Sequence, residues 1–285
     1  MKIRQKEYAR QSPIPLEEQK RMQLGILSFF HAFCAANDLR YYAICGTLLG
    51  TVRHKGFIPW DDDVDVTMPR ADYTRFLDLF ARADTGHYSI ASENSNPDYP
   101  YNFVKVQDDR TILFEKSMGY SFSGIYIDVF PMDFLPESPE QRQRINKKLD
   151  RLYALVGAKI LRWKPRHSGL KTLGAALARV FLSFVPVGIL RNKIERLISL
   201  ASKSPTSLVG ILAIRSTLPT YCFDSAWMSD AVLLPFEHLS IRVPREYAKV
   251  LETAYGDYMQ LPPVEERSYK HSTLSYFRHT RKEGQ

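Results

Sequence analysis

The chain has 285 residues, 45% of them hydrophobic and 12% aromatic, which is enough apolar material for one or two packed domains and excludes a disordered or low-complexity protein. Net charge is +8, but residues 141–203 hold fifteen Lys and Arg against only Asp150 and Glu195, a local net of +13 that leaves −5 on the rest. A basic block of that size implies a polyanionic neighbour: anionic lipid, an acidic glycan or nucleic acid.

Met1 to Gln19 is polar and lacks the apolar stretch of a signal peptide. Cys34, Cys45 and Cys222 have neither metal-ligand nor redox spacing, and the seven histidines form no zinc-like pattern. The expectation is a reduced, cytoplasmic setting.

Helical spacing of Leu24, Leu27, Phe30 and Cys34 predicts a helix over 15–37. Tyr41 to Cys45 reads as a strand, Gly46-Thr47 as a turn, and Leu48 to His54 as a short helix. An aspartate-rich strand follows Gly56, and a second amphipathic helix covers 71–83. Strands are expected at 88–92, 102–107, 110–115 and 122–130. Mostly helical sequence then runs to about residue 215. Strands at 231–236 and 238–243 precede a helix over 245–255 closed by Gly256. The order predicts an α+β fold with a mixed sheet first and helices second.

The most hydrophobic stretch, Leu173 to Leu190, is interrupted by Arg179 and Pro186. It falls short of the ~20 uninterrupted apolar residues that span a bilayer. Its flanks, Lys171, Arg191, Lys193 and Arg196, suit a membrane interface; the alternative is a buried helix of the second domain.

Asp61, Asp63 and Asp65 occupy alternate positions, so a strand places them on one face, with Trp60, Val64, Val66 and Met68 on the other. Clustered carboxylates need a cation, and hard oxygen ligands suit Mg²⁺, Mn²⁺ or Ca²⁺. Alternate residues rise by ~6.6 Å, so two carboxylates can converge while three cannot without a bend. Asp63 and Asp65 are therefore the expected central ligands, with Asp61 as an outer ligand or the holder of a second ion. Asp62 faces the Trp60 side. A calcium loop is disfavoured, because Val66 stands where the sharp turn needs Gly and Asp72 where Glu is usual.

Several further residues are candidates. The helix opened by Gly46 and Thr47 could present N–H groups and a hydroxyl to a phosphate, although many helices begin this way for capping alone. Arg53, His54 and Lys55 are either a solvated helix end or phosphate donors. Lys105 alternates with Val104 and Val106, so its amine is expected to leave the apolar face. Arg267 and His271 lie at i and i+4 and face the same way if helical.

Gly46-Thr-Leu-Leu-Gly-Thr-Val-Arg-His-Lys-Gly-Phe-Ile-Pro-Trp-Asp-Asp-Asp-Val-Asp65 resembles the signature of the LicD family, phosphocholine transferases of bacterial surface glycans. Lys105 with Asp109 and Thr111, Ile127-Asp-Val-Phe-Pro-Met-Asp133, and Tyr255-Gly-Asp-Tyr-Met-Gln-Leu-Pro-Pro263 with Arg267 and His271 extend the resemblance in the same order. It covers most of 20–135 and 232–272 and is loose across the basic middle.

The resemblance implies a polymerase β-type nucleotidyltransferase-like mixed sheet with flanking helices and a basic helical insertion. It divides the chain into a catalytic core at 1–136, a basic, membrane-interfacial region at 137–225, and 226–285 completing the core. It makes Gly46-Thr47 the phosphate turn and Asp63 and Asp65 the paired catalytic acids. Asp128 becomes the third acid, with Asp133, expected in a loop, as its rival; a buried structural acid is the other reading of Asp128. Arg53 and Lys105 would hold phosphate oxygens, and Arg267 and His271 would bind phosphate or cap the last segment.

The implied reaction is Mg²⁺- or Mn²⁺-dependent transfer of a phosphoalcohol, phosphocholine from a CDP-choline donor, to a glycan acceptor that is cell-surface or lipid-linked. The basic block and the apolar stretch within it add the expectation of a cytoplasmic protein peripheral on the inner face of an anionic membrane. Rival readings are nucleoside monophosphate transfer and a non-catalytic membrane adaptor. No nucleic-acid partner is expected, since no recognition motif accompanies the basic block.

Overall fold

The structure, a computed structural model, describes residues 5–8, 10–115, 117–118, 120–161, 179–215, 221–267 and 273–278. At its centre β2 (Asp65–Pro69) runs parallel to β5 (Ser123–Phe134), and β5 pairs on its other side with antiparallel β4 (Val104–Glu115). β1 (Tyr42–Ala43) flanks β2, while β10 (Thr273–Phe277) and β3 (Tyr88–Ala91) both pair with β4. Helices and a mixed sheet together make this an α+β fold, as expected.

Alternation along the three central strands separates core from site. Val66 and Met68, Val104 and Val106, and Ile125, Ile127 and Val129 are buried on one face. They join one core with Leu27 and Phe30 of α1 (Leu16–Ala36) and Phe76 and Phe80 of α3 (Arg70–Phe80). Those helices carry apolar residues at three- and four-residue spacing, so each turns one stripe inward. The opposite face of the same strands carries Asp65, Asp128 and Lys105.

Several local expectations change. The aspartate strand begins only at Asp65; Asp61 to Val64 form an arm with no strand assignment. β1 is two residues long and offers that arm no ladder, because Cys45, at φ +53°, already starts α2 (Cys45–His54). Val64 engages β5, accepting the Asp128 N–H at 2.8 Å. The strands expected at 102–107 and 110–115 are one, despite the turn-like Asp108-Asp109. Where the ladder is irregular, Gln107 Oε1 accepts from Gly124 N–H and Thr111 Oγ1 from Ile125 N–H, both at 2.8 Å. Side chains there replace the missing backbone partners.

Asp133 is not in a loop. β5 continues through Phe134, and Asp133 is buried against Arg70, whose Nε and Nη2 donate to its two oxygens at 2.8 and 2.6 Å. Arg70 Nη1 also donates to Glu195 at 3.1 Å, tying α3 and β5 to the helical region.

That region contains α4 (Pro139–Ile160), capped by Ser138 and opened by Pro139, and α5 (Val187–Ala201). Leu149, Val156, Ile160, Leu190, Ile194 and Ile198 give it a second apolar core. The chain then returns to the sheet: β6 (Leu208–Gly210) pairs with the end of β5, and β7 (Cys222–Asp224) pairs with β6. Residue 208 onward is therefore strand where helix was expected. The segment 173–178 of the hydrophobic stretch lies outside the described residues, as does Lys171.

The connection between α2 and β2 is held from both sides. Lys55 ends α2 in the left-handed region, and its N–H returns to Gly50 O. The hairpin of β8 (Ala231–Phe236) and β9 (Leu239–Pro244) brings Glu237 against it. Glu237 N–H donates to Lys55 O at 2.7 Å, and Glu237 Oε1 accepts from Phe57 N–H at 3.0 Å. A Cβ on Gly50 would lie 2.4 Å from Gly56 O, a backbone atom that cannot rotate away. Gly50→Ala should therefore lower the unfolding free energy by about 1–3 kcal/mol, as overpacking does. Urea denaturation followed by circular dichroism would measure the loss.

Candidate active site

Asp65, Asp128 and Lys105 form a row across three neighbouring strands: Asp65 is in register with Asp128, and Asp128 with Lys105. Lys105 Nζ donates to Asp128 Oδ1 at 2.6 Å, with both residues buried. The ammonium also sits 3.4 Å from the ring centre of Tyr126, 5.0 Å from Tyr101 and 5.3 Å from Phe103. The rings' electron-rich faces stabilise a cation that burial would otherwise penalise. Lys105 thus leaves the apolar face, as its alternation with two valines predicts.

The carboxyls are perturbed by one another. Burial pushes Asp128 up to about 6, opposed by the charge and hydrogen bond of Lys105. Asp65 keeps a partly open surface, but the surrounding protein desolvates its carboxyl and raises it well above the usual range. The charges of Asp63, Asp128 and Asp61 push it in the same direction, in that order. Asp65 therefore feels the three other acids, and Asp128 feels Asp63 as well. Among the described residues, no three carboxylate, histidine or cysteine groups are spaced to close around a metal ion as they stand. The donor set is nonetheless all hard oxygen, and its mutual repulsion is what a divalent cation relieves. On that chemistry Asp61, Asp63 and Asp65 fit Mg²⁺ or Mn²⁺.

The start of α2 is clamped to the start of β2. Ile44 N–H donates to Asp65 O at 3.1 Å, and Asp65 N–H donates to Thr47 Oγ1 at 2.8 Å. Thr47 is buried, so its hydroxyl positions the acid strand. Gly46 leaves room for Asp61: a Cβ there would stand 2.3 Å from Asp61 Oδ2. The glycine is needed for close approach, and it brings a carboxylate to the helix start. Asp62 turns inward, where Gln23 Nε2 donates to its backbone carbonyl at 3.0 Å.

Arg53 and Arg267 lie together at the other end of α2. Arg53 Nη1 donates to Tyr258 O at 2.9 Å and Gln260 O at 3.2 Å, and its Nε donates to His54 Nε2 at 3.0 Å. Burial and the charge of Arg267 lower its pKa. Arg267 stacks 5.4 Å over Trp60 and donates to Pro262 O at 2.9 Å. Arg53 thus anchors the 258–260 segment, and the pair forms a cationic corner beside the aspartate arm. His271 lies outside the described residues.

Four further residues belong to this neighbourhood and were not singled out from the sequence. Cys45 is held up by burial and by Asp65. Tyr221 and Tyr255 have their hydroxyls 3.4 Å apart, and Tyr255 is raised by burial, by Cys45 and more weakly by Asp65 and Asp61. Tyr126 carries the closest ring to Lys105. Its position had a signal, since it shares a strand face with Asp128, and Tyr255 opens a motif already noted. Cys45 and Tyr221 had none, because their approach depends on segments distant in sequence.

Asp128 gives a pH signature. Its folded pKa lies above the ordinary 3.8, so the folded state holds the proton longer than the unfolded chain does. Stability contributed by this group is therefore lost as pH rises from about 4 to about 6. In metal-free buffer, wild-type unfolding free energy should fall relative to Asp128→Asn across that window by up to about 3 kcal/mol. Urea titrations at several pH values would measure the slope.

Residues 38–148 match the family model described as LicD/FKTN/FKRP, nucleotidyltransferase domain. The chain is similar to the lipopolysaccharide cholinephosphotransferase LicD of Haemophilus influenzae, with 29% identity over 264 residues, covering 92% of this chain and 98% of that protein. It is also 30% identical over 124 residues to an uncharacterised protein of Rickettsia typhi, covering 43% of this chain and 38% of that one. An uncharacterised protein of Rickettsia prowazekii is 32% identical over 106 residues, covering 36% and 38%. The matched span contains α2, the aspartate arm, Lys105 and Asp128, and it is over this span that the chain matches the LicD family model.

Proposed function

We propose that the protein transfers a phosphoalcohol, phosphocholine from CDP-choline, to a hydroxyl of a cell-surface or lipid-linked glycan. The observation that carries this reading is the row Asp65–Asp128–Lys105 beside the start of α2. A nearly full-length relative is named a lipopolysaccharide cholinephosphotransferase, which supports the choice of group and acceptor class.

In this mechanism the acceptor oxygen attacks the choline-bearing phosphorus, the bond from that phosphorus to the CMP oxygen breaks, and CMP leaves. Asp128 takes the acceptor's proton; a pKa of about 6 leaves it largely ionised at neutral pH yet able to accept one. Lys105 holds that carboxylate in place and adds positive charge beside it. Asp63 and Asp65, with Asp61 outside them, would hold a divalent cation. Bound there, the cation would screen the diphosphate and stabilise the departing nucleotide. N–H groups around Gly46 would hold a donor phosphate oxygen, and Arg267 and Arg53 would supply positive charge at the other end of α2. Thr47 acts through the backbone of Asp65.

The test is CMP release from a panel of CDP-alcohols with Mn²⁺ and a glycan acceptor. Asp63→Asn and Asp65→Asn should each lower the rate at least ~100-fold while leaving the protein folded, since each removes charge stabilisation of the transition state. Full activity in either folded variant would overturn the mechanism. Pyrophosphate release from CTP with nucleotide on the product would instead assign nucleoside monophosphate transfer.

A further inference from the structure

The helical region has a surface that phosphoalcohol transfer does not use. Residues 179–183 are helical, and Lys159 of α4 donates to Leu182 O and Ser183 O at 3.2 and 3.0 Å. Leu182 and Val185 pack on the second core. That seating leaves the rings of Phe181 and Phe184 outside, 74% and 80% exposed, with Val180 exposed beside them. The rings are held outward by a turn whose inner residues are already packed.

α5 continues the pattern. Val187, Leu190, Ile194 and Ile198 face the core, whereas Ile189, Lys193, Arg196 and Leu200 are exposed at spacings of four, three and four. Those spacings place them on one outward stripe, apolar at both ends and cationic between. Adjacent exposed apolar groups of this kind mark an interaction surface.

The surface sits in the part of the chain with net charge +13. Two copies meeting here would bring like charges together, whereas an anionic bilayer offers apolar depth and opposite charge at once. No helix among the described residues is long and apolar enough to cross a membrane. We infer that the Phe181–Phe184 turn and the outward stripe of α5 dock on an anionic lipid bilayer, with the two rings entering the headgroup layer and Lys193 and Arg196 meeting lipid phosphates. This inference stands apart from the transfer reaction, since it concerns another surface and no donor chemistry.

Flotation of the full chain with vesicles of phosphatidylcholine alone, or mixed with phosphatidylglycerol, tests it. The chain should bind the mixed vesicles and leave the neutral ones. Lys193→Ala with Arg196→Ala should lower partitioning ~25-fold, at about fivefold per surface charge. Phe181→Ser with Phe184→Ser should lower it at least ~tenfold, through lost insertion. All four side chains point outward, so both variants should keep wild-type circular dichroism and, with a water-soluble acceptor, wild-type CMP release. Equal binding to both vesicle types, or undiminished binding by the Phe variant, would overturn the inference. So would a dimer that the Phe variant dissociates without any vesicle binding, which would assign the surface to a second copy. Failure of CMP release alone would bear only on the transfer reaction.

Discussion

Two carboxylates opposite each other on adjacent parallel strands repel, and the fold around Asp65 and Asp128 is arranged to tolerate that repulsion. Lys105, one strand further on, removes part of it through a short ion pair with Asp128. It can be buried there because three aromatic rings and a carboxylate replace the water it gives up. The compensation is unequal. Lys105 opposes the rise of both carboxyls and hydrogen-bonds only Asp128, whereas Asp65 is raised by burial and then by Asp63, Asp128 and Asp61. Carboxylates are thus gathered on the arm and the first residue of β2, which is where a divalent cation would relieve most repulsion.

The aspartate arm is positioned by its surroundings. Before Asp65 it carries no strand assignment and meets β5 through Val64, so its direction is set largely by what touches it. Thr47 fixes the first strand residue, Gly46 gives Asp61 its place, and Glu237 of a distant hairpin fixes the turn that launches the arm. Each contact is small, but together they leave the arm few alternatives. Four acids so close in sequence would otherwise separate.

The helical region completes the core through a few polar links. Arg70 joins α3, β5 and α5 through Asp133 and Glu195, and Arg191 Nη1 donates to Tyr99 O at 2.9 Å. These contacts hold α5 by one face, so its other stripe remains available. The acid site and the cationic, apolar surface therefore belong to separate parts of one fold.

The alternation of 65–68, and the Ile-x-Ile-x-Val pattern of 125–129, were sufficient to assign a core face and a site face, whereas Asp61 to Val64 did not form the expected strand. Side-chain direction in a strand follows from parity alone. The amphipathic spacing of α1 and α3 was legible for the same local reason, and the ordered motifs that resemble the LicD signature pointed to Asp63, Asp65 and Asp128 as candidate acids. Pairing could not be read locally: that Asp65 meets Asp128 in register, that Asp133 is taken by Arg70, and that Glu237 and Tyr255 return to the first hundred residues all depend on which strands adjoin. Strand adjacency is decided by burial summed over the whole sheet, and no short window of sequence contains that sum. The sequence by itself determined which strand faces carry the acids and which the core; only the tertiary structure decided the charge partners of those acids, because those partners lie on segments separated by many residues.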